Sequence, residues 1–347
     1  MPEGKQKALF LESKFGLYII GERPIPKPGA GQLLVRNEAV ALNPVDWKIQ
    51  KYGVFVEDFP AVVGTDIAGV VEEVGEGVTG FSKGDRVFFQ GDWSNDLAGY
   101  QQYTLAFAET TAKIPPGVSF ESAATIPVAL AAAVVGLYNT KPHHGAGYTP
   151  PFEPSARGKY AGKPIVIIGG ASSVGQYVIQ FAKLSGFSPI IAISSSKHEE
   201  FLKSLGATHI VDRHIPQESI PAEIAKITTA PIDIVFDAIS LDDTQQVSYD
   251  LLADGGHLVL VLPSQIRETE GKTFSSILGV WTLDHTRELG LKLYSQLGEL
   301  LGEGVIKPNR VEVLPGGLNG IVGGLNKLEN HQVSGVKLVV HPQETTA

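Results

Sequence analysis

The apolar positions of this chain fall into two textures. Over residues 5–115 they come in short runs rich in Val, Leu, Phe and Tyr, such as "KQKALFL", "QLLVRNEAVAL", "DIAGVVEEVG", "DRVFF" and "YQQYTLA". Runs of this kind, broken by Gly and Pro, predict strands. The dense "PIPKPGAGQ" predicts a loop, and the four glycines of "EEVGEGVTGFSKGDRV" predict tight turns. This part reads as a compact β-barrel-like domain. From "ESAATIPVALAAAVVGLY" alanines and aliphatics take over, predicting a buried helix over Phe120–Tyr138. Residues 139–162 have no apolar period and many Pro and Gly, so they read as a surface loop. The adjacent His143 and His144 in it read as solvated, since two sequence neighbours do not easily chelate one ion.

From Lys163 strands and helices alternate, with strands predicted at 164–168, 189–194, 208–211, 232–236 and 257–262. "HEEFLKSLGA" and "DTQQVSYDLLADGG" supply intervening helices, the second closed by Gly-Gly. Such alternation implies a parallel sheet with helices on both faces. Residues 285–347 add a helix over Thr286–Glu303, the strand-like "VEVLP", a second helix and "GVKLVVHP".

Composition narrows the classes. At 347 residues the chain suits two domains, and its 28 basic against 37 acidic residues, a net charge of −9, speak against a nucleic-acid surface. No cysteine is present, which removes disulfides, thiolate nucleophiles and cysteine-held metals together. "MPEGKQKALFLESKFG" carries no long apolar run behind its lysines, and no stretch reads as long enough to span a bilayer. A cytoplasmic protein without membrane contact is the expectation.

The chemistry concentrates in "PIVIIGGASSVGQYVIQFAKLSGFSPIIAISSSKHEEF", residues 164–201. Gly170 and Gly175 match the outer glycines of a G-x-G-x-x-G turn, with Ala171, Ser172, Ser173 and Val174 between them. The first glycine allows the tight turn, the last lets helix and sheet approach, and the helix N-terminus offers N–H groups to a phosphate. A preceding "IVIIG" and a helix with Val174, Val178, Phe181 and Ala182 on its apolar positions provide the strand–turn–helix context that the motif requires. An NAD site places an acid at the end of the second strand, about 20 residues on. Here that end reads Ser194, Ser195, Ser196, Lys197, His198, and Arg213 follows the neighbouring strand. Hydroxyls and cations at adjacent strand tips favour the 2′-phosphate of NADPH.

With these stretches in hand the chain resembles the medium-chain dehydrogenase/reductase superfamily over nearly its whole length. The resemblance rests on "VALNPVDWKIQKYG", "GTDIAGVVEEVGEGVTGFSKGDRV", "IPVALAAAVVGL", "GGASSVGQYVIQFAKLSG", "SLGATHIVD" and "SGVKLVV". Within it the chain is similar to the zinc-free quinone oxidoreductase branch and to fungal trans-acting enoyl reductases with their ToxD-like relatives. The resemblance implies an α/β fold: a GroES-like β-barrel domain (1–127 and 285–347) and a Rossmann doubly wound parallel-sheet domain (128–284), with the active site between them. It also implies cofactor contacts from Pro44, Val128, Ile239, Val261, Leu262 and Lys337. Where the zinc alcohol dehydrogenases carry a cysteine this chain has Asn43, and Gly64-Thr65-Asp66 stands in place of Gly-His-Glu. No metal is therefore expected, because zinc needs three or four suitable ligands.

An enone receives hydride at its β-carbon and a proton on the resulting enolate. "NPVDWKIQKYG" offers Asp46, Lys48 and Tyr52. By resemblance to mitochondrial enoyl reductases Tyr52 is the proposed donor; the alternative is a hydrogen-bonded barrel tyrosine. Lys48 orients the substrate oxygen or is solvated; Asn43 stands with Tyr52 and Lys48 among the catalytic candidates, although Asn43 and Asp46, next to Pro, also read as loop formers. The leading expectation is an NADPH-dependent reductase of activated alkenes, acyl thioesters or polyketide-like substrates included. A quinone oxidoreductase and a non-catalytic NADPH-binding protein are the rivals. Trp93, Trp281 and the 139–162 loop are candidates to line the substrate pocket. The chain reads as a monomer, or as a homodimer paired through "GHLVLVLPS" as an edge strand.

Overall fold

The computed structural model describes residues 4–152, 154–267 and 269–346. They divide into two compact units. The first holds the residues up to Val128 together with Tyr294–Gly304 and the chain from Pro308 on; the second holds Ala129–Leu293 and Val305–Lys307.

The first unit is a GroES-like, mainly antiparallel β domain. Gln32–Ala41 lies at its centre, pairing with Asp66–Val74, Tyr103–Phe107 and Lys337–Val340. The register shifts between Leu34 and Val35 and between Asn37 and Ala39, and such bulges bend the strand and strengthen its twist. Lys337–Val340 in turn pairs in parallel with Val311–Val313, so the C-terminal segment completes the sheet begun at the N-terminus. A smaller sheet pairs Tyr18–Pro24, Lys5–Leu11 and Ala61–Val62. Residues 44–52, in which Asp46 was read as a loop former, form a helix, Pro44–Tyr52. Asn43 precedes it in extended conformation, Pro44 takes the first helical position, Asp46 lies in the first turn and the Gly53 N–H closes it on the Ile49 carbonyl. The helix buries Asp46 and Ile49, the latter in a core with Val40, Leu42, Val56, Tyr100 and Leu338.

The second unit is the Rossmann half. Its six strands are all parallel, in the order His209–Asp212, Ile190–Ser194, Ile165–Ile168, Ile234–Asp237, His257–Leu260, Thr273–Ser276. In chain order that is 3-2-1-4-5-6, the doubly wound pattern whose strand order reverses beside Ile165–Ile168. Near-continuous aliphatic strands such as "IVII" and "IIAI" follow from burial on both faces. Thr273–Ser276 escaped the sequence reading. It covers His257–Leu260, so "GHLVLVLPS" is not an edge strand.

Two further expectations change. The apolar stretch at 120–138 is two helices, Phe120–Ala124 and Pro127–Tyr138, because Pro127 has no N–H to continue the first. By length and composition Phe120–Tyr138 suffices to cross a membrane, contrary to the sequence reading, but 78% of its apolar window is buried inside the protein. The 139–162 stretch is only partly a surface loop. His143 and His144 are exposed, whereas Tyr148 and Phe152 pack edge-on against Phe187 and Phe181; Glu153 lies outside the described residues.

Candidate functional site

Each unit carries its own part of the predicted site. In the parallel unit, the chain leaves Ile165–Ile168 through Gly169, at φ +74°. The Gly169 and Gly170 N–H groups both donate to the Ile193 carbonyl, at 3.0 and 3.1 Å, tying the turn to the neighbouring strand. Ser172 caps the Ser173–Ser185 helix: its hydroxyl accepts the Gly175 N–H at 3.0 Å. The helix itself provides no acceptor for the Ser173 and Val174 N–H groups. A Cβ on Gly175 would come within 2.3 Å of the Gly169 carbonyl oxygen, so only glycine allows this closeness. A Cβ on Gly169 would meet Ile239 Cγ1 at 2.4 Å, which places Ile239 directly against the turn. The turn thus sits at the strand-order reversal with two backbone donors unspent, a cradle that fits a dinucleotide pyrophosphate. Gly169 was missed as a site residue, although it is the glycine in the left-handed region.

The second strand ends as its sequence implied. Ser194 is paired with Asp212, and the Ser194 carbonyl accepts the Arg213 N–H at 3.0 Å, so the tips carrying Lys197 and Arg213 are neighbours. Both cations are exposed. Ser195 is half-buried, and His198 is buried at the start of the Glu199–Leu205 helix. Asp212, at the end of the neighbouring strand, is held below the usual carboxylate range by hydrogen bonds from the His214 N–H and imidazole and from Ser196. On the other side of the reversal, Asp237 accepts the Ile239 and Ser240 N–H groups at 3.0 and 2.8 Å, and the Ser240 hydroxyl accepts the Val261 N–H at 2.9 Å. Ile239, Val261 and the half-buried Leu262 are therefore set by one hydrogen-bonded loop system. Trp281 is buried within this unit.

In the antiparallel unit, Tyr52 is 61% exposed at the last turn of its helix and stands edge-on to Trp47 at 5.7 Å. Lys48 is half-buried over the Trp47 ring, 5.6 Å from its centroid, and burial lowers its ammonium pKa. Pro44 is exposed. Trp93 is half-buried and stacked on Phe55 at 4.6 Å. Asn43 is buried, and its side chain serves no loop: Nδ2 donates to Asp66 Oδ2 at 2.9 Å while Oδ1 accepts the Lys337 ammonium at 2.7 Å.

Lys337, expected at the cofactor, is only 3% exposed; its ammonium also bonds Asp66 Oδ2 at 2.5 Å. Its charge is therefore spent inside the unit. The Val128 N–H is likewise taken by Asp66 Oδ1 at 2.7 Å. Asp46 reaches back to the Asn43 N–H at 2.7 Å and accepts the Tyr100 hydroxyl at 2.6 Å. Asp66, noted from sequence only within Gly64-Thr65-Asp66, belongs to this cluster, as do Tyr100 and Tyr18, which were not singled out from sequence. The positions that hold zinc ligands in the dehydrogenases this chain resembles do not fit a metal, because a lysine ammonium already occupies the oxygens of Asn43 and Asp66.

Comparison with known proteins agrees with both halves. Residues 29–117 match the alcohol dehydrogenase GroES-like domain, and residues 173–273 match the zinc-binding dehydrogenase domain. The trans-enoyl reductase resD of Aspergillus sclerotiorum is 33% identical, covering 92% of this chain and 96% of the relative. The trans-enoyl reductase tndF of Aspergillus flavipes is 31% identical over 97% of this chain and 99% of its own. Among solved structures, the quinone oxidoreductase of Coxiella burnetii superposes with a TM-score of 0.70 at 23% identity, covering 97% of this chain and 99% of that one. An alcohol dehydrogenase superfamily protein from Novosphingobium aromaticivorans does so with a TM-score of 0.77 at 22% identity, over 97% and 99%.

Proposed function

The chain belongs to the medium-chain dehydrogenase/reductase family and is an oxidoreductase, and from that premise we propose that it uses NADPH to reduce the carbon–carbon double bond of an activated alkene, an enone or enoyl thioester. The observation that carries the reading is the unspent backbone cradle of Gly169–Gly175 in a chain whose full-length relatives are named trans-enoyl reductases.

When bound, NADPH would supply the hydride. The Ser173 and Val174 N–H groups hold its pyrophosphate, and Ile239, Val261 and Leu262 support the same crevice. Lys197 and Arg213, with the Ser194 and Ser195 hydroxyls, bind the 2′-phosphate; charge-assisted hydrogen bonds at this point select against NADH. The carbonyl conjugated to the acceptor carbon takes up the negative charge, so no Lewis acid is required. Lys48, its ammonium partly desolvated, orients that oxygen. Tyr52 gives its phenolic proton to the enolate carbon. An enolate is a strong base, so a phenol of ordinary acidity suffices and Tyr52 needs only reach. Lys337, Asp66 and Asn43 support the site from inside the fold without touching cofactor.

The substrate is a small molecule, and we place the reaction in the cytoplasm, carried out by a monomer or homodimer. Steady NADPH oxidation on an enone and an enoyl thioester, with the saturated product identified, tests the reading against a quinone run in parallel. Turnover of the quinone alone would assign the protein to quinone reduction instead.

A further inference from the structure

Asp46 is fully buried, and its two carboxyl oxygens are treated unequally. Oδ2 meets the Asn43 N–H at 2.7 Å and the Tyr100 hydroxyl at 2.6 Å, whereas Oδ1 is buried with no hydrogen-bond partner. The Asp46 main-chain carbonyl also accepts the Tyr18 hydroxyl at 3.1 Å. An ionised carboxylate with one oxygen left dry is costly, while a neutral acid protonated at that oxygen leaves only an unpaired hydroxyl, a smaller cost than an uncompensated charge. The charged groups facing Asp46 do not offset an anion. Lys337 is the cation nearby, but it is committed to Asp66 Oδ2 and Asn43 Oδ1, and Asp66 is itself acidic. Tyr18 and Tyr100 are both raised above the ordinary phenol range by burial and then by Asp46, so both stay protonated.

We propose that Asp46 is a positioning residue: carried as a neutral carboxylic acid, protonated at the dry Oδ1 while Oδ2 accepts from Asn43 and Tyr100, it locks the first turn of the Pro44–Tyr52 helix and thereby fixes Lys48 and Tyr52. The catalytic consequence rests on the proposed roles of those two side chains. Burial, with a smaller push from Asp66, raises the Asp46 carboxyl to about 7 against the pull of Tyr100, Asn43 and Lys337. The acid therefore ionises near neutrality, placing a second anion beside Asp66 and loosening the helix start.

The test compares the full-length parent with D46N and D46A, loaded with NADPH. An amide oxygen in place of Oδ2 keeps both the Asn43 and Tyr100 contacts without any charge. With an enone, D46N retains parental turnover below neutral pH and lacks the parent's fall above it. D46A loses about 10²-fold in kcat with NADPH affinity unchanged, the size of effect a small misplacement of reacting groups produces. A second readout does not depend on activity. A carboxyl whose folded pKa is raised adds stability that is complete below its unfolded pKa of about 3.9 and is lost as pH rises to the folded value. The unfolding midpoint of D46N should therefore climb relative to the parent between about pH 4 and the value near 7, then level off. Parallel pH dependence of the two proteins overturns the proposal, and so does a D46N turnover as low as that of D46A. If the parent reduces no enone, the functional reading fails by itself. Unfolding midpoints, with amide exchange of residues 47–52, then still decide whether neutral Asp46 locks the helix. If D46A does not fold, D46N carries the comparison.

Discussion

The turn at Gly169–Gly175 and the cluster around Asp66 are built on opposite principles. The turn presents main-chain groups from seven consecutive residues, and its side chains are small: Ala171, Ser172, Ser173. The cluster works through buried side-chain charges brought from distant parts of the chain; Lys337 and Asn43 are 294 positions apart. A main-chain site tolerates many side chains but no added Cβ where helix and turn touch. A buried charge cluster tolerates no single deletion, because removing one partner strands the other.

Four substitutions or treatments sharpen that contrast. The largest effect is expected outside both, at Tyr52, the proposed proton donor. Tyr52→Phe should lower enone turnover by about 10²–10⁴-fold, the usual value of general acid catalysis, with NADPH titration unchanged. Quinone turnover should suffer far less, since a hydroquinone anion takes its proton from water after release. Full enone turnover in the variant, with chemistry rate-limiting, would return the role to Lys48 or water. Next comes Lys337→Ala. If Lys337 is a structural cation, the loss of about 3–5 kcal/mol characteristic of a broken buried pair appears in denaturant unfolding. If it contacts cofactor, the loss appears chiefly in NADPH affinity.

Arg213→Ala, at the other region's edge, should weaken NADPH about ten- to a hundredfold, the worth of one charged hydrogen bond, and leave NADH nearly unchanged. Equal affinity of the parent for both coenzymes would remove the 2′-phosphate assignment. Incubation with EDTA should have the smallest effect, none on turnover, because Asn43 and Asp66 already bind an ammonium. About one zinc per chain by elemental analysis would contradict it.

The parallel half was legible because its signals are local. Aliphatic strands, a glycine turn and Ser194–His198 each declare themselves within a few residues, and strand ends shifted by only one or two positions. Thr273–Ser276 was missed because "TFSS" lacks the aliphatic run of a buried strand. In the antiparallel half the Pro44–Tyr52 helix was overlooked, although Asn43, Pro44 and Asp46 are standard start signals. Next to a run of strands they were taken for turn formers.

By itself the sequence determined the class of fold, the strand–turn–helix that carries the glycine turn, and the cations at the ends of the second and third strands. These follow from periodicity and from backbone demands that a few adjacent residues meet. Only the tertiary structure decided that Lys337 faces inward to Asp66, that Asp46 keeps one oxygen dry, and that Tyr100 and Tyr18 converge on it. A buried polar group must find its partner wherever the folded chain brings one, and sequence distance carries no record of that choice.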